Sequence, residues 1–208
     1  MKYVARETAP KANTKPETST DATKRHYTYG DYLNWMDEER WELIAGVPYN
    51  MSPAPTRAHQ EISGELFKQI ANYLTGKTCK VYAAPFDVRL PQGDEEDEKI
   101  DTVVQPDLVV VCDQQKLDES GCKGAPDWII EILSPYTAGK DLKIKFALYE
   151  RVGVKEYWLV DPANKTVQVY IRGENGRYSR PDNYMAEDRV RVEVLPDLLI
   201  DLAPVFNE

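Results

Sequence analysis

The sequence has little cysteine, and what it has follows no recognisable site pattern. Its 208 residues include three cysteines, Cys79, Cys112 and Cys122, which form neither a C-x-x-C pair nor an even set. Two of them stand in apolar, strand-like surroundings, which is typical of small core residues. This usage predicts free thiols in a reducing compartment and gives no indication of a disulfide framework.

Long apolar runs are also missing. The N-terminus has no apolar segment of the kind found in signal peptides, and no stretch approaches the roughly 20 apolar residues that span a bilayer. We therefore expect a cytoplasmic protein with no membrane partner.

Positive charge is in deficit. The chain has 26 Lys and Arg against 35 Asp and Glu, for a formal net charge of −9. Bulk charge therefore does not attract nucleic acid, which argues against a non-specific binder. An anionic substrate would need a local site.

The length suits one domain with a single core. Residues 1–26 are rich in Thr, Lys, Pro and Ala without periodicity, which predicts a disordered tail. Residues 27–208 are predicted to form the domain. The acidic run at 94–98 is typical of a solvated loop.

Apolar periodicity predicts an α/β fold in which a mixed central sheet is flanked by helices. The sequence suggests an N-terminal hairpin turning at Ala45–Gly46 and small C-terminal strands that close the domain. Helices are predicted from Thr28 to about 38, over 58–75 and over 138–152, and strands over 79–84, 86–90, 103–112, 127–133, 156–161 and 166–171, with a polar loop at 113–126.

Two carboxylates interrupt the apolar strands. Side chains alternate along a strand, so Asp107 would share a face with Val109 and Val111, and Glu131 with Ile129 and Leu133. A buried carboxylate requires a cation, a metal or a full set of hydrogen bonds. The alternative is that each acid ends its strand and reaches water.

The predicted helix at 138–152 carries a lysine on its apolar side. At 100° per residue, Leu142, Ile144, Phe146, Leu148, Tyr149 and Val152 form an apolar arc, and Lys145 falls near its middle with Lys140 and Lys143 opposite. Asp141 and Tyr149 lie one turn before and after Lys145. Lys145 should therefore meet acids in the core, although a pair with Asp141 at the edge is the simpler alternative.

Two acids and an inward lysine suit phosphodiester hydrolysis. Carboxylates hold Mg²⁺, for which Mn²⁺ is a possible substitute, and the metal polarises the phosphate and activates water. The lysine would stabilise the charge that develops in the transition state.

These motifs resemble the PD-(D/E)XK, restriction-endonuclease-like superfamily, and more closely the Uma family of restriction endonucleases. The resemblance covers about residues 28–172 and is carried by five stretches: WELIAGVPYNMSPAPTRAHQEISGEL, DVRLP, VVQPDLVVVCD, EILSPYTAGKDLKIKFALYE and GVKEYWLVDPANKTVQVY. It implies a metal-dependent endonuclease acting on DNA, with Asp107 and Glu131 as the two acids.

Leu133 stands where the simplest E-x-K pattern has its lysine. The resemblance implies that the lysine has moved to Lys145, with Asp141 and Tyr149 in support. It also singles out Glu42 and Asp87 as further metal ligands and His59 as a catalytic residue. A structural role for each remains open, since strand-edge acids and helix-start histidines are common.

A catalytically inactive nucleic-acid-binding or assembly module of the same fold is the alternative. Cleavage of small phosphodiesters is a third possibility. Because the domain is acidic and cutting two strands requires two sites, we also expect a homodimer.

Overall fold

A computed structural model describes residues 25–35, 39–51, 54–135 and 139–207. The predicted tail at 1–26 lies almost wholly outside the described residues, as do positions 36–38 at the predicted end of the first helix. Among the described helices, none combines the length and apolar content that crossing a bilayer would require.

The larger sheet has six strands and carries most of the core. It is mixed, because β9 (Trp128–Ile132) and β10 (Glu156–Asp161) pair in parallel while the remaining neighbours are antiparallel. Its order is β12-β11-β10-β9-β6-β3, with β3 at Lys80–Ala83, β6 at Leu108–Val111, β9 at Trp128–Ile132, β10 at Glu156–Asp161, β11 at Thr166–Ile171 and β12 at Asp182–Met185.

Helices cover both faces of this sheet, as the continuous apolar runs predict. Helix α2 (Arg57–Leu74) is capped by Thr56, whose hydroxyl accepts the amide of His59. Its buried stripe packs on the face that carries Leu108, Ile130 and the other alternate strand residues. The opposite face packs against helix α3 (Phe146–Val152). The sheet is therefore buried on both sides.

A smaller sheet carries the N-terminal hairpin. Its order is β2-β1-β5-β4-β8-β7, with β1 at Trp41–Ile44, β2 at Val47–Asn50, β4 at Val88–Arg89, β5 at Val103–Val104, β7 at Leu117–Asp118 and β8 at Gly121–Lys123. The hairpin turns at Ala45–Gly46, both with positive φ, as predicted. Helix α1 (Tyr29–Tyr32) precedes it with the predicted capping box from Thr28 to Asp31.

The prediction of a plain polar loop at 113–126 is wrong, because β7 and β8 lie within it. These strands are too short and too polar to leave an alternating pattern. Arg89 stabilises them: its buried guanidinium donates to both carboxylate oxygens of Asp118 at 2.6 Å and also pairs with Asp97. Asp97 belongs to the acidic run at 94–98, most of whose other residues are exposed as predicted.

The apolar stretch at 103–112, predicted as a single strand, is divided between the two sheets. Val103–Val104 pairs in the smaller sheet and Leu108–Val111 in the larger one. Pro106 has no amide to donate, and the amide of Gln105 binds Glu42 Oε1 at 3.0 Å rather than a strand partner. Asp107 therefore precedes β6, at the junction between the sheets.

The predicted helix at 138–152 begins with a wider turn than expected. Residues Lys140–Lys145 form a π-helical segment, and the amide of Phe146 reaches back five residues to the carbonyl of Asp141. Leu142 and Ile144 are 43% and 37% exposed, so their predicted place on the apolar arc is wrong. Wider turns rotate residues away from the positions that 100° per residue assigns.

The C-terminal strands close the domain as predicted. Strands β13 (Arg189–Arg191) and β14 (Leu199–Asp201) form a separate hairpin-like pair, followed by helix α4 (Ala203–Phe206). Their buried residues join the core beside α2.

The expectation that the cysteines form no disulfide is wrong. Cys79, just before β3, and Cys112, just after β6, form a disulfide, while Cys122 is buried and free. The cysteine pattern therefore no longer supports a reducing compartment, and a cytoplasmic location stays a prediction.

Glu156 generates a pH prediction. Burial raises its pKa to about 7, although its oxygens accept the Val194 amide and the Trp158 indole N–H. The unfolded chain loses this proton first, so the free energy of unfolding should fall between about pH 4.5 and 7. Glu156→Gln should remove roughly 2–3 kcal/mol of that fall in urea unfolding measured across this range.

Glu174→Gln, at an exposed turn, is the matched control and should leave the pH dependence unchanged. An equal pH dependence in wild type and Glu156→Gln would contradict the prediction.

Candidate active site

Lys145 lies at the centre of a buried cluster of charges. Its side chain is 2% exposed, and its Nζ is 2.7 Å from Glu42 Oε1, 2.8 Å from Glu131 Oε1 and 3.7 Å from Asp141 Oδ1. The smaller sheet, the larger sheet and the π-helical segment each supply one of these acids. The predicted inward orientation of Lys145 is therefore observed, with three carboxylates around it.

Glu42 is engaged through both oxygens. Oε1 accepts from Lys145 and from the Gln105 amide, and Oε2 accepts from Lys140 at 2.6 Å. Burial alone would raise its pKa, but Lys145 and Lys140 outweigh it and lower the pKa to about 2. Glu42 is therefore a carboxylate that pairs with two lysines.

Glu131 has the opposite electrostatic environment. It lies on β9 on the same face as Ile129 and Leu133, and its Oε1 accepts from Lys145 and from the Tyr149 hydroxyl, each at 2.8 Å. Burial, with the neighbouring acids in support, raises its pKa although Lys145 opposes the shift. Unlike Glu42, Glu131 has one cation rather than two.

Asp107, just before β6, contacts β9, the strand that carries Glu131. Its Oδ2 accepts the Ile132 amide at 2.7 Å and lies 3.2 Å from His59 Nε2, in the first turn of α2. The Asp107 side chain is 19% exposed, against 4% for Glu131. Asp107 is therefore the more accessible of the two acids.

Most of these side chains line one pocket of about 710 Å³. Five predicted site residues line it: His59, Asp107, Glu131, Asp141 and Lys145. Tyr149 stands behind Glu131, with its ring buried among the residues that pack on α3. Glu42 lies behind Lys145.

The structure does not bring Asp87 into the pocket lining. Its Oδ1 accepts from the Tyr32 hydroxyl at 3.2 Å and from Gln105 Nε2 at 2.8 Å, and burial raises its pKa. Asp87 therefore lies behind Gln105, a pocket-lining residue to which it is hydrogen-bonded.

Comparison with known proteins identifies the family. The profile of Uma2, described as a putative restriction endonuclease, matches residues 29–203. The chain belongs to the Uma2 family. An uncharacterised protein of Synechocystis sp. is 25% identical over 166 residues, which cover 78% of this chain and 83% of that protein.

A solved structure supports the same fold for this Uma2 chain. It is a crystal structure of "a putative nuclease belonging to DUF820" from Anabaena variabilis, with a TM-score of 0.68 and 22% identity. The match covers 86% of this chain and 97% of the other. The mixed sheet with flanking helices is thus a restriction-endonuclease-like fold.

The lining of the Uma2 pocket also includes polar residues that were not predicted as site residues, among them Arg40, Gln105 and Lys140. Arg40 donates Nε and Nη2 to Gln105 Oε1, and Lys140, predicted to face away from the core, binds Glu42. The π-helical segment turns Lys140 inward, and its partner is 98 residues away in sequence. In the sequence, the local sign of this part of the lining was the polar Gln105 beside Pro106 in a mostly apolar run.

Asp107 and Glu131 each keep one carboxylate oxygen for a metal ion. Within the described ranges, the contacts of Asp107 use Oδ2 and those of Glu131 use Oε1, and the second oxygen of each accepts no hydrogen bond there. Paired carboxylate oxygens suit Mg²⁺. Among those residues no three His, Cys, Asp or Glu side chains already form a metal-binding group. The two acids fit a metal that takes its other ligands from water or substrate.

Tyr149 provides a test of the buried cluster. Tyr149→Phe removes a hydrogen bond to a buried carboxyl and should lower the free energy of unfolding by about 1.5–3 kcal/mol. Urea unfolding measures this change. Tyr170→Phe is the control, because the Tyr170 hydroxyl bonds Gln168 at 3.3 Å on a partly exposed surface, and it should cost well under half as much. Equal losses would contradict a special role for the Tyr149 hydroxyl.

Proposed function

We propose that this chain is a metal-dependent endonuclease that hydrolyses phosphodiester bonds in DNA. The observation that carries this proposal is the 2.8 Å contact of the buried Lys145 with Glu131, in the same pocket as Asp107. Membership of a family described as restriction endonucleases supports it. A lysine and two acids in one pocket suit phosphoryl chemistry better than a structural role alone.

Asp107 and Glu131 would hold Mg²⁺, or Mn²⁺ in its place. The bound metal would polarise the phosphate and supply an activated water. Since both oxygens of Glu42 are engaged, we assign Glu42 to holding Lys145 and Lys140 in place; its role as a metal ligand stays a prediction, as does that of Asp87.

Lys145 would stabilise the negative charge that develops on the phosphate. It is already oriented by Glu42 and Glu131, so little reorganisation accompanies the reaction. His59 would orient Asp107 through its 3.2 Å contact. The limited exposure of the cluster keeps bulk water from screening these charges.

Lys145→Ala tests the catalytic assignment. The variant should lose about 10²–10³-fold in the rate of DNA cleavage with Mg²⁺, measured on plasmid and on single-stranded DNA, because a preorganised cation is removed from the transition state. Lys143→Ala is the matched control, since Lys143 lies two residues away on the same segment and is exposed. Undiminished cutting by Lys145→Ala would remove Lys145 from the mechanism.

Asp107→Asn tests metal binding without relying on activity. A ligand that binds only the folded state raises the melting temperature as its concentration increases. Mg²⁺ titration should raise the melting temperature of the wild type and of Asp182→Asn, an exposed control on β12. The rise should disappear in Asp107→Asn. A rise of the same size in that variant would place the metal elsewhere.

The expected homodimer stays a prediction. Light scattering coupled to gel filtration would show the oligomeric state directly.

A further inference from the structure

Two of the residues proposed for the chemistry are buried in the lining of the pocket. Glu131 and Lys145 line it although their side chains are only 4% and 2% exposed, and we take them as its floor. A scissile phosphate must reach this floor, so the sugar and base beside it must enter the pocket. In a duplex, pairing and stacking hold those groups in the helix.

The walls of the pocket are mostly apolar. The lining includes Tyr49 and Met51 of the hairpin region, Leu133 after β9, Leu142 of the π-helical segment and Pro162 at the β10–β11 turn. A volume of about 710 Å³ lies within the range of pockets that hold drug-sized ligands, the size class of a nucleotide. Apolar walls with an aromatic ring suit a nucleobase better than a row of backbone phosphates.

The positive charges of the pocket are few. Among the described residues, the lining has three cations, Arg40, Lys140 and Lys145, and Glu42 pairs with both lysines. Arg40 donates to Gln105 and forms no salt bridge with any described residue, so its guanidinium can bind one phosphate. Duplex-binding proteins commonly make 6–10 phosphate contacts. The net charge of −9 gives the chain no overall electrostatic attraction for the phosphates of a duplex.

We propose that the pocket receives an unpaired nucleotide, with its base against Tyr49 and a phosphate near Arg40, so that single-stranded segments of nucleic acid are the substrate. The cleavage of that substrate rests on the proposed function, whereas the binding preference does not. Tyr49 lies directly across the hairpin from Glu42, so the same strand pair positions the base and the counter-charge of Lys145.

Fluorescence anisotropy with a labelled DNA 12-mer, alone and annealed to its complement, tests this inference. Measured with Ca²⁺ and separately with EDTA, the single strand should bind at least about tenfold tighter than the duplex. Tyr49→Leu should weaken single-strand binding about tenfold to a hundredfold, because base stacking on an aromatic ring is lost. Tyr49→Phe, which keeps the ring, should retain it.

Tyr82→Leu is the matched control. Tyr82 also packs at the edge of the same core and stacks on Phe86, but it does not line the pocket. It should leave binding unchanged. Equal or tighter binding of the duplex by the wild type would overturn the inference, and so would unchanged binding by a folded Tyr49→Leu.

The outcome is separable from that of the nuclease proposal. Tighter binding of the single strand, with no cleavage in the presence of Mg²⁺ or Mn²⁺, would uphold the pocket inference and reject the nuclease. Efficient cleavage together with duplex preference would do the reverse.

Discussion

The buried ammonium group of Lys145 is the constraint on which the site depends. An unpaired charge at such depth would cost several kcal/mol, so the fold must bring acids to it from separate elements. Glu42 comes from the smaller sheet, Glu131 from the larger sheet and Asp141 from the same π-helical segment. The cluster therefore fixes the two sheets and the segment relative to one another, in addition to any chemistry it performs.

The two glutamates around Lys145 are chemically similar but have different environments. Glu42 faces two lysines and a backbone amide, which favours its ionised form. Glu131 is buried beside several acids, and together these outweigh Lys145 and raise its pKa. In the proposed mechanism, this asymmetry separates the residue that anchors the lysine from the residue that would hold the metal. Identical residue types thus receive different roles from their surroundings.

Much of this site could be anticipated from local periodicity. Strand alternation placed Glu131 on an apolar face, and i±4 spacing grouped Asp141, Lys145 and Tyr149. Leu142 and Lys140 were misplaced because a π-helical segment changes the angle per residue. Contacts between distant parts of the chain, such as Lys140 with Glu42, leave no local pattern at all. The disulfide was not predicted for the same reason, since it links residues 33 positions apart.

The switch of sheets at Gln105–Asp107 has a consequence for the evolution and engineering of this chain. One short, proline-containing segment, in which the Gln105 amide binds Glu42, sets the spacing between β5 and β6. Inserting or deleting a single residue there would shift the register of one sheet against the other while leaving every site residue present in the sequence. A relative could thus retain the full set of acids and the lysine and still be inert, so intact motifs alone are an unsafe guide to activity in such chains.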